Sequence, residues 1–236
     1  MDIPFSPQKN SLIGALKPED AFDLIPCLEP VLMQLGDVLY EPEQTLKYAY
    51  FPLNAIVSLL YVMTNGASTE IAVIGNEGMV GTPIILGSAS STCRAVVQSA
   101  GYGFRLKAST LRQLFHASPT LATRLLRYTH ALITQITQTA VCNRHCMLEQ
   151  QLCRWLLLSL DRLETAEVLM TQELIANMLG VRREGVTEAA GRLQREGLIR
   201  YSRGHIAILD RDGLELKACE CYQVVRREYA ALAKAH

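Results

Sequence analysis

Residues 171–199, TQELIANMLGVRREGVTEAAGRLQREGLI, decide how the rest of this chain is interpreted. Thr171 is a typical helix cap, and Gly180 stands where a helix favours a left-handed residue. Between them, one stripe is apolar at helical spacing: Leu174, Ile175, Met178 and Leu179. After a start near Arg182, apolar residues recur at i, i+3, i+4 and i+7: Val186, Ala189, Ala190 and Leu193. The stretch predicts a helix-turn-helix whose second helix has a polar outer face suited to the major groove of DNA.

The residues that follow extend this prediction to a winged helix. Two short alternating runs, residues 198–201 and 205–208, flank Ser202-Arg203-Gly204, which is typical of a β-hairpin. Residues 182–203 hold six arginines and three glutamates, a local balance of +3 in a chain whose overall balance is zero. A local basic excess favours contact with phosphates. The alternative, an ordinary corner between two helices, lacks an explanation for the wing and the charge.

Composition limits the class of protein. The chain has 236 residues, of which 49% are hydrophobic and 19% charged, as in a globular protein of one large or two smaller domains. Zero net charge argues against a histone-like protein that binds nucleic acid without sequence specificity. We find neither a transmembrane run nor a secretory signal, so the seven cysteines are expected as reduced thiols in the cytoplasm.

The sequence pattern of the N-terminal half is typical of an antiparallel β protein. Residues 1–17 are expected to form a loose leader, and a short helix is expected from Pro18 to about Cys27. Seven short apolar runs follow, at residues 31–35, 38–40, 48–52, 55–62, 68–74, 95–98 and 103–106. Their spacing predicts a small roll or barrel, with Asn65-Gly66 as a hairpin turn. A short helix is expected at residues 84–86.

Helices dominate the remainder. A helix with Ser109 as its cap is predicted to Ala117, and Ser118-Pro119 begins a long helix that ends near Cys146. One stripe of this helix alternates spacings of three and four: Leu121, Leu125, Tyr128, Leu132, Gln135, Thr139, Cys142 and Cys146. This heptad pattern predicts a parallel coiled coil and a homodimer, unless the stripe packs on its own domain. Residues 148–163 form a further predicted helix, 165–169 a link, and 210–235 one final helix.

This order of parts resembles the Crp/Fnr family of bacterial transcription regulators. The resemblance covers about residues 20–210 and is most specific in the opening stretch and in YFPLNAIVSLLYVMTNGASTEIAVIGNEGMVG, residues 50–81. It implies an α+β fold: a cyclic-nucleotide-binding-like antiparallel β-roll (a double-stranded β-helix), a long dimerisation helix and a C-terminal winged helix-turn-helix. The expected boundaries are 1–29 for the leader and short helix, 30–117 for the roll, 118–147 for the dimerisation helix and 148–236 for the DNA-binding domain with its C-terminal helix.

The resemblance also implies roles in DNA binding. Arg183 would read a guanine, and Glu184 would accept a hydrogen bond from a cytosine amine. Thr171 and Arg182 match positions that touch phosphates. Glu188 stands where the family often has arginine, so the target sequence is expected to differ. The full set of expected DNA contacts is Thr171, Arg182, Arg183, Glu184, Thr187, Glu188, Arg192 and Arg203. Besides pseudo-palindromic double-stranded DNA and a second copy of the chain, the candidate partners are RNA polymerase and a small-molecule effector.

The expected effector pocket departs from that of cyclic AMP binders. Those proteins carry a Gly-Glu pair for the ribose, where this chain has Gly81-Thr82, and an Arg-Ser pair for the phosphate, where it has Thr92-Cys93-Arg94. The departure argues against cyclic AMP as a cofactor, and no other cofactor is implied. Thr137 matches a position on the long helix that faces the pocket. A cyclic-nucleotide-responsive regulator and a redox-responsive one acting through Cys93 stay open as alternatives.

The sequence also bears on three alternatives: a metal site, an enzyme and a ligand-binding module. Cys142, His145, Cys146 and Cys153 could bind a metal, but buried packing is the more common explanation for cysteines one helical turn apart, so no metal site is expected. Cys219 and Cys221 are expected to point to different faces of one helix and to be inert. Enzyme motifs such as G-x-S-x-G, a P-loop or H-E-x-x-H do not occur, so no enzyme is expected. A dimeric ligand-binding module that contacts protein instead of DNA is the rival class.

Overall fold

A computed structural model of the chain describes residues 5–163 and 165–234. Seven strands form the N-terminal half: β1 Glu29–Met33, β2 Val38–Tyr40, β3 Tyr48–Pro52, β4 Ile56–Val62, β5 Ser68–Ile74, β6 Arg94–Ser99 and β7 Gly101–Lys107. They pair antiparallel in two sheets, in the orders β1-β7-β3 and β2-β6-β4-β5. The predicted antiparallel roll of six or more short strands is confirmed, with seven strands whose boundaries differ from the predicted runs by a few residues.

Alternation along the strands places side chains either inside the roll or against the C-terminal half. In β4, Val57 and Leu59 belong to the core within the roll, whereas Ile56 and Leu60 pack with the C-terminal half. The hairpin between β4 and β5 turns at Asn65-Gly66 as predicted, and Gly66 has a φ of 86°. The short helix expected at residues 84–86 is a 3-10 turn at Thr82–Ile84, directly after Gly81.

The prediction of a loose leader is wrong for the residues that the structure describes. Ser11–Gly14 form a short helix (α1) whose Leu12 and Ile13 are buried in the core of the roll. Asn10 is fully buried, and its Nδ2 donates to the carbonyl oxygens of Pro52 and Gly78, both at 2.9 Å. These bonds attach the segment to the roll, which composition alone does not reveal. The predicted helix follows as α2, Pro18–Leu24, with a 3-10 turn at Ile25–Cys27.

The two helices after the roll lie close to their predicted positions. Helix α3 spans Ala108–Ala117, and its cap position is Lys107 and not the predicted Ser109. Helix α4 spans Pro119–His145, and Ser118 caps it by accepting a hydrogen bond from the Leu121 amide at 3.1 Å. Its 27 residues extend over about 40 Å at 1.5 Å per residue.

The predicted coiled-coil seam on α4 is buried inside its own chain. Leu121, Leu125, Tyr128 and Leu132 pack in the core of the roll, so these residues are not free to meet a second chain. The polar members of the seam also bond within the chain: Tyr128 donates to the Met79 carbonyl at 2.9 Å and Gln135 Nε2 to the Val73 carbonyl at 3.0 Å. The buried Oε1 of Gln135 has no hydrogen-bond partner among the described residues. The assignment of this face to the dimer is therefore wrong, and the packing of the stripe on its own domain explains its periodicity.

The C-terminal half is helical with one small sheet. Its elements are α5 Leu148–Leu160, β8 Glu167–Leu169, α6 Gln172–Leu179, α7 Arg183–Arg195, β9 Ile199–Ser202, β10 His205–Ile208, α8 Arg211–Lys217 and α9 Glu220–Lys234. Two predictions need correction. The expected link at 165–169 contains β8, which pairs with β10 and extends the hairpin to three strands. The single final helix is two helices, because α8 packs on α5 while α9 runs back along α4.

The two halves meet on one face of the four-stranded sheet. Trp155 of α5 lies in the same core as Ile56, Leu60 and Val73 of that sheet. Further along, the β5 residue Thr69 donates to the Met178 carbonyl of α6 at 3.3 Å. The roll therefore contacts the helix-turn-helix directly. Within the described ranges, no helix combines the length and the apolar character needed to cross a membrane.

Candidate nucleic-acid interface

The helix-turn-helix forms for the reasons that its sequence predicts. Thr171 caps α6 by accepting from the Leu174 amide at 3.3 Å, and Gly180 ends the helix with a φ of 67°. The inward-facing residues of α7 are all buried: Val186, Ala189, Ala190 and Leu193. One expectation fails, since Leu174 is 43% exposed instead of joining the apolar stripe of α6. The core below α7 leaves its opposite, polar face turned to solvent.

Positive charge is concentrated on this solvent face and on the wing. Arg182 and Arg183 are exposed at the start of α7, and Arg203 is exposed at the tip of the wing. Among the described residues, none of these three takes part in an ion pair, and the same holds for two further exposed arginines, Arg195 and Arg200. Exposed guanidinium groups without an ion-pair partner are available to phosphates and base edges, and two of them, Arg183 and Arg203, line one groove.

An open groove of about 500 Å³ lies between the helix-turn-helix and the wing. It is lined by Thr171, Gln172, Glu173, Arg183, Tyr201, Arg203 and Gly204. The wing turns through Arg203 and Gly204, whose φ angles of 50° and 82° are those of a tight two-residue hairpin turn. The groove therefore brings together the start of α6, the start of α7 and the tip of the wing, which are far apart in the sequence.

Besides the cap residue Thr171, three of the expected DNA contacts have partners within the domain: Thr187, Glu188 and Arg192. Arg192 pairs with Glu149 at 2.6 Å and with Glu188 at 2.7 Å. These bonds raise the pKa of Arg192, with the hydrogen bond to Glu149 as the largest cause. Thr187 donates to Gln172 at 2.7 Å and so connects α6 to α7. In this arrangement Arg192 ties α7 to α5, whereas Arg182, Arg183 and Glu184 remain exposed.

Tyr201 is a groove residue that the sequence did not single out. Its hydroxyl donates to the Met170 carbonyl at 3.1 Å, and the residue lines the same groove as Arg183 and Arg203. Burial is the main cause that raises the pKa of Tyr201. The signal that could have found it is its place on the wing strand β9, two residues before Arg203.

The comparisons with known proteins agree with this geometry. Residues 150–216 match the family described as the Crp-like helix-turn-helix domain. Three solved structures share the fold over most of their length. A regulator of the Crp/Fnr family from Eubacterium rectale has a TM-score of 0.69 and 19% identity, covering 87% of this chain and 96% of its own. FixK2 from Bradyrhizobium japonicum has a TM-score of 0.68 and 16% identity, covering 81% and 98%. The c-di-GMP-responsive regulator CLP from Xanthomonas campestris has a TM-score of 0.63 and 14% identity, covering 81% and 99%.

The chain has the Crp/Fnr fold and carries a Crp-like helix-turn-helix domain. The resemblance stated from the sequence is thereby confirmed for the fold and for this domain. No curated protein matches the sequence. At these low identities the structural likeness establishes the architecture alone, so the roles of individual residues rest on the geometry of this chain.

Within this Crp/Fnr fold, the candidate effector residues of the roll lie on two segments, residues 81–82 and 92–94. Gly81, at a φ of 109°, and Thr82 begin the 3-10 turn, and a Cβ on Gly81 would come within 3.3 Å of the Ile84 side chain. Thr92 is exposed and Cys93 half-buried, while Arg94 forms an ion pair with Glu41 at 2.8 Å. A phosphate held by Arg94 would therefore have to compete with this carboxylate.

Thr137 does not face the roll of its own chain. It is exposed, and its hydroxyl donates to the Ile133 carbonyl at 2.9 Å, within α4. The buried side of α4 carries Gln135 at this level. The expectation that Thr137 lines a pocket between the roll and α4 therefore does not hold within one chain.

Four cysteines meet where α4 ends and α9 begins. The sulfur atoms of Cys142, Cys146, Cys219 and Cys221 all lie within 4.8 Å of one another, and we refer to these residues as the thiol cluster. The hydrogen bond from Cys142 is the largest cause that lowers the pKa of Cys219, to about 5. The expectation that Cys219 and Cys221 point to different faces is wrong, because Cys219 precedes α9 and is not helical. His145 and Cys153 lie outside the thiol cluster.

Proposed function

We propose that this protein is a homodimeric transcription regulator that binds specific double-stranded DNA. In this proposal α7 enters the major groove, Arg183 and Glu184 contact base edges, and Thr171, Arg182 and Arg203 contact phosphates. The observation that carries it is the groove between α6, α7 and the wing, which holds exposed arginines on two of its sides. Glu188, engaged with Arg192, is the position at which the preferred operator departs from the pattern implied by the family.

A different face of α4 supports the dimer. Leu126, Ile133 and Ala140 are exposed at intervals of seven residues, and His130 and Thr137 lie between them at heptad spacing. Leu126 is 47% exposed and Ile133 54% exposed, so this face presents large apolar side chains to solvent at heptad spacing. A second copy of the chain, packed in parallel along this face, would cover them and would place two α7 helices on one side of the dimer. Half-sites about 34 Å apart then follow from one turn of B-DNA.

The contact between the roll and the DNA-binding domain supports regulation through their relative position. A ligand that binds one arrangement of the two halves better than another shifts the equilibrium between those arrangements. Arg94 in its ion pair with Glu41 and Cys93 beside it are the candidate sensing groups on the roll. Cyclic AMP stays disfavoured, since the residue after Gly81 is Thr82 and supplies no carboxylate for a ribose.

The direct test is selection of DNA sequences by the purified full chain from a random duplex pool. The affinities of Arg183→Ala and of the unaltered chain are then measured for the selected operator and for a scrambled duplex. Loss of a bidentate guanine contact should weaken operator binding by about 1–3 kcal/mol and relax one base position. Arg227→Ala, an exposed arginine on α9, is the matched control and should leave the affinity unchanged.

Two outcomes would count against the proposal. If no duplex is enriched and the chain binds all DNA weakly, the rival class of a ligand-binding dimer is favoured. If Arg183→Ala weakens binding equally on operator and scrambled DNA, Arg183 contacts a phosphate, and the assignment of base reading to this residue is wrong.

A further inference from the structure

The thiol cluster has the composition of a metal site. Cys142 lies on the last turn of α4 and Cys146 is the extended residue that follows the helix, and the Cys146 amide donates to the Cys142 carbonyl at 3.0 Å. Cys219 and Cys221 come from the turn that precedes α9 and from the first turn of α9. Cys142 Sγ lies 3.4 Å from Cys219 Sγ. Three of the four residues are buried, and Cys146 forms the partly open edge.

The distances suit a single ion. Four thiolates around one Zn²⁺ have Zn–S bonds of about 2.3 Å, which puts the sulfur atoms of a tetrahedron about 3.8 Å apart. The sulfur atoms here are all within 4.8 Å of one another, so small side-chain rotations bring them to that geometry. An iron–sulfur cluster holds its thiolates on different iron atoms and needs more space than this. The C-x3-C spacing of Cys142 and Cys146 also falls in the range of structural zinc sites.

The surroundings supply what such a site needs. Gln151 of α5 donates to the carbonyls of Cys142 at 3.3 Å and Cys146 at 2.9 Å, which fixes the backbone that carries both thiols. Arg154, one turn further on, is buried and donates to Thr139 at 3.1 Å, one turn before Cys142 on α4. Within the described ranges Arg154 forms no ion pair, although its charge acts on the buried Glu70 carboxyl, and its Nε lacks a hydrogen bond. A Zn²⁺ with four thiolates carries a charge of −2, and a buried guanidinium nearby offsets part of it.

We propose that the thiol cluster binds one Zn²⁺ through four cysteine thiolates and thereby fastens the start of α9 to the end of α4. The site joins segments 77 residues apart. It would hold the C-terminal helix, which packs along α4, at the junction between the long helix and the DNA-binding domain. Binding releases the thiol protons, and the ion adds a cross-link that the unfolded chain lacks.

The first experiment measures metal content. The full chain is purified under reducing conditions without chelator, and zinc and iron are measured by elemental analysis. We expect about one zinc ion per chain and no stoichiometric iron. In the double variant Cys219→Ser/Cys221→Ser, the zinc content per chain should fall by about tenfold or more. Cys153→Ala is the matched control, because Cys153 is buried in the same half but lies outside the thiol cluster, and it should keep its zinc.

A second measurement uses the unaltered chain, in case the double variant does not fold. Titration of the metal-free chain with Co²⁺ should give intense thiolate-to-metal absorption and the d–d bands of tetrahedral coordination, saturating at about one equivalent. With zinc bound, alkylation mapped by mass spectrometry should spare the four thiols of the thiol cluster and modify Cys27 and Cys93. Any of three results would overturn the proposal. These are a chain that binds no zinc when zinc is added back, a Co²⁺ spectrum that lacks thiolate bands, and a Cys142–Cys219 disulfide in the purified chain.

Discussion

The indole Nε1 of Trp155 donates a 3.0 Å hydrogen bond to Oε1 of Glu70, across the contact between the roll and α5. Ser58 Oγ lies 2.6 Å from Oε2 of Glu70 and 2.6 Å from Oε1 of Gln98. One hydroxyl proton cannot serve both acceptors. A protonated Glu70 resolves this, since it can donate to Ser58, which then donates to Gln98. Burial is the largest cause that raises the pKa of Glu70, to about 7.

This carboxyl makes the stability of the chain depend on pH. Its folded pKa of about 7 lies above the ordinary 4.5, so the folded state binds the proton more tightly than the unfolded state does. The resulting stabilisation is complete below about pH 4.5 and is lost as the pH rises towards and through 7. Glu70→Gln keeps this position neutral. Its free energy of unfolding relative to the unaltered chain should therefore increase between pH 5 and pH 8, on the order of 1–3 kcal/mol.

Urea unfolding of both proteins at several pH values between 5 and 8 measures this difference. Glu173→Gln, at an exposed carboxylate on α6, is the control and should show no such trend. A difference between Glu70→Gln and the unaltered chain that stays constant with pH would show that Glu70 is ionised throughout.

The exposed heptad face of α4 predicts how the dimer can be disrupted. Ile133→Glu places a charge in the middle of that face, where a second copy would bring a like charge opposite it. Sedimentation at micromolar concentration should change from a dimer to a monomer. Leu216→Glu is the control, because Leu216 is 87% exposed on α8, away from this face. A dimer that survives Ile133→Glu would place the interface elsewhere.

The sequence could predict the periodicity of α4 but not its partners. A helix that packs on its own chain on one side and is exposed on the other can show heptad spacing on both sides. The set beginning at Leu121 is the more apolar and therefore the better predicted seam, yet the core of the roll takes up its first four residues. By contrast, the helix-turn-helix and the wing were predictable, because Gly180 and Ser202-Arg203-Gly204 are local signals with specific backbone requirements.

The features that could not be predicted from the sequence depend on long-range contacts. No proline or glycine marks the break at Ala218–Cys219, which arises because α8 follows α5 and α9 follows α4. The thiol cluster depends on this break, since a continuous helix would have pointed Cys219 and Cys221 apart. The buried Asn10 is similar, because its partners lie 42 and 68 residues further along the chain.

Asn10 predicts that the N-terminal segment contributes to stability. Besides its two bonds to Pro52 and Gly78, its Oδ1 accepts from the Leu12 amide at 3.1 Å and caps α1. Asn10→Ala leaves buried carbonyl and amide groups without partners, and should lower the free energy of unfolding by about 2–4 kcal/mol. Asn177→Ala, at an exposed position on α6, is the control. Equal stability of the two variants in urea would show that the segment is not anchored through Asn10.

A variant of Arg203 tests whether the wing contacts phosphates, as distinct from the base contacts proposed for α7. It is exposed at the tip of the hairpin, at one side of the groove, and has no ion-pair partner in the described part of the chain. If it neutralises one phosphate, Arg203→Ala should weaken binding by a similar factor on operator and scrambled duplexes. The slope of log affinity against log salt concentration should then fall by about one on both. Arg203→Lys keeps the charge at the same place and should keep the slope. Binding isotherms over a range of salt concentrations measure both quantities, and a loss confined to the operator would instead make Arg203 a reader of sequence in the adjacent groove.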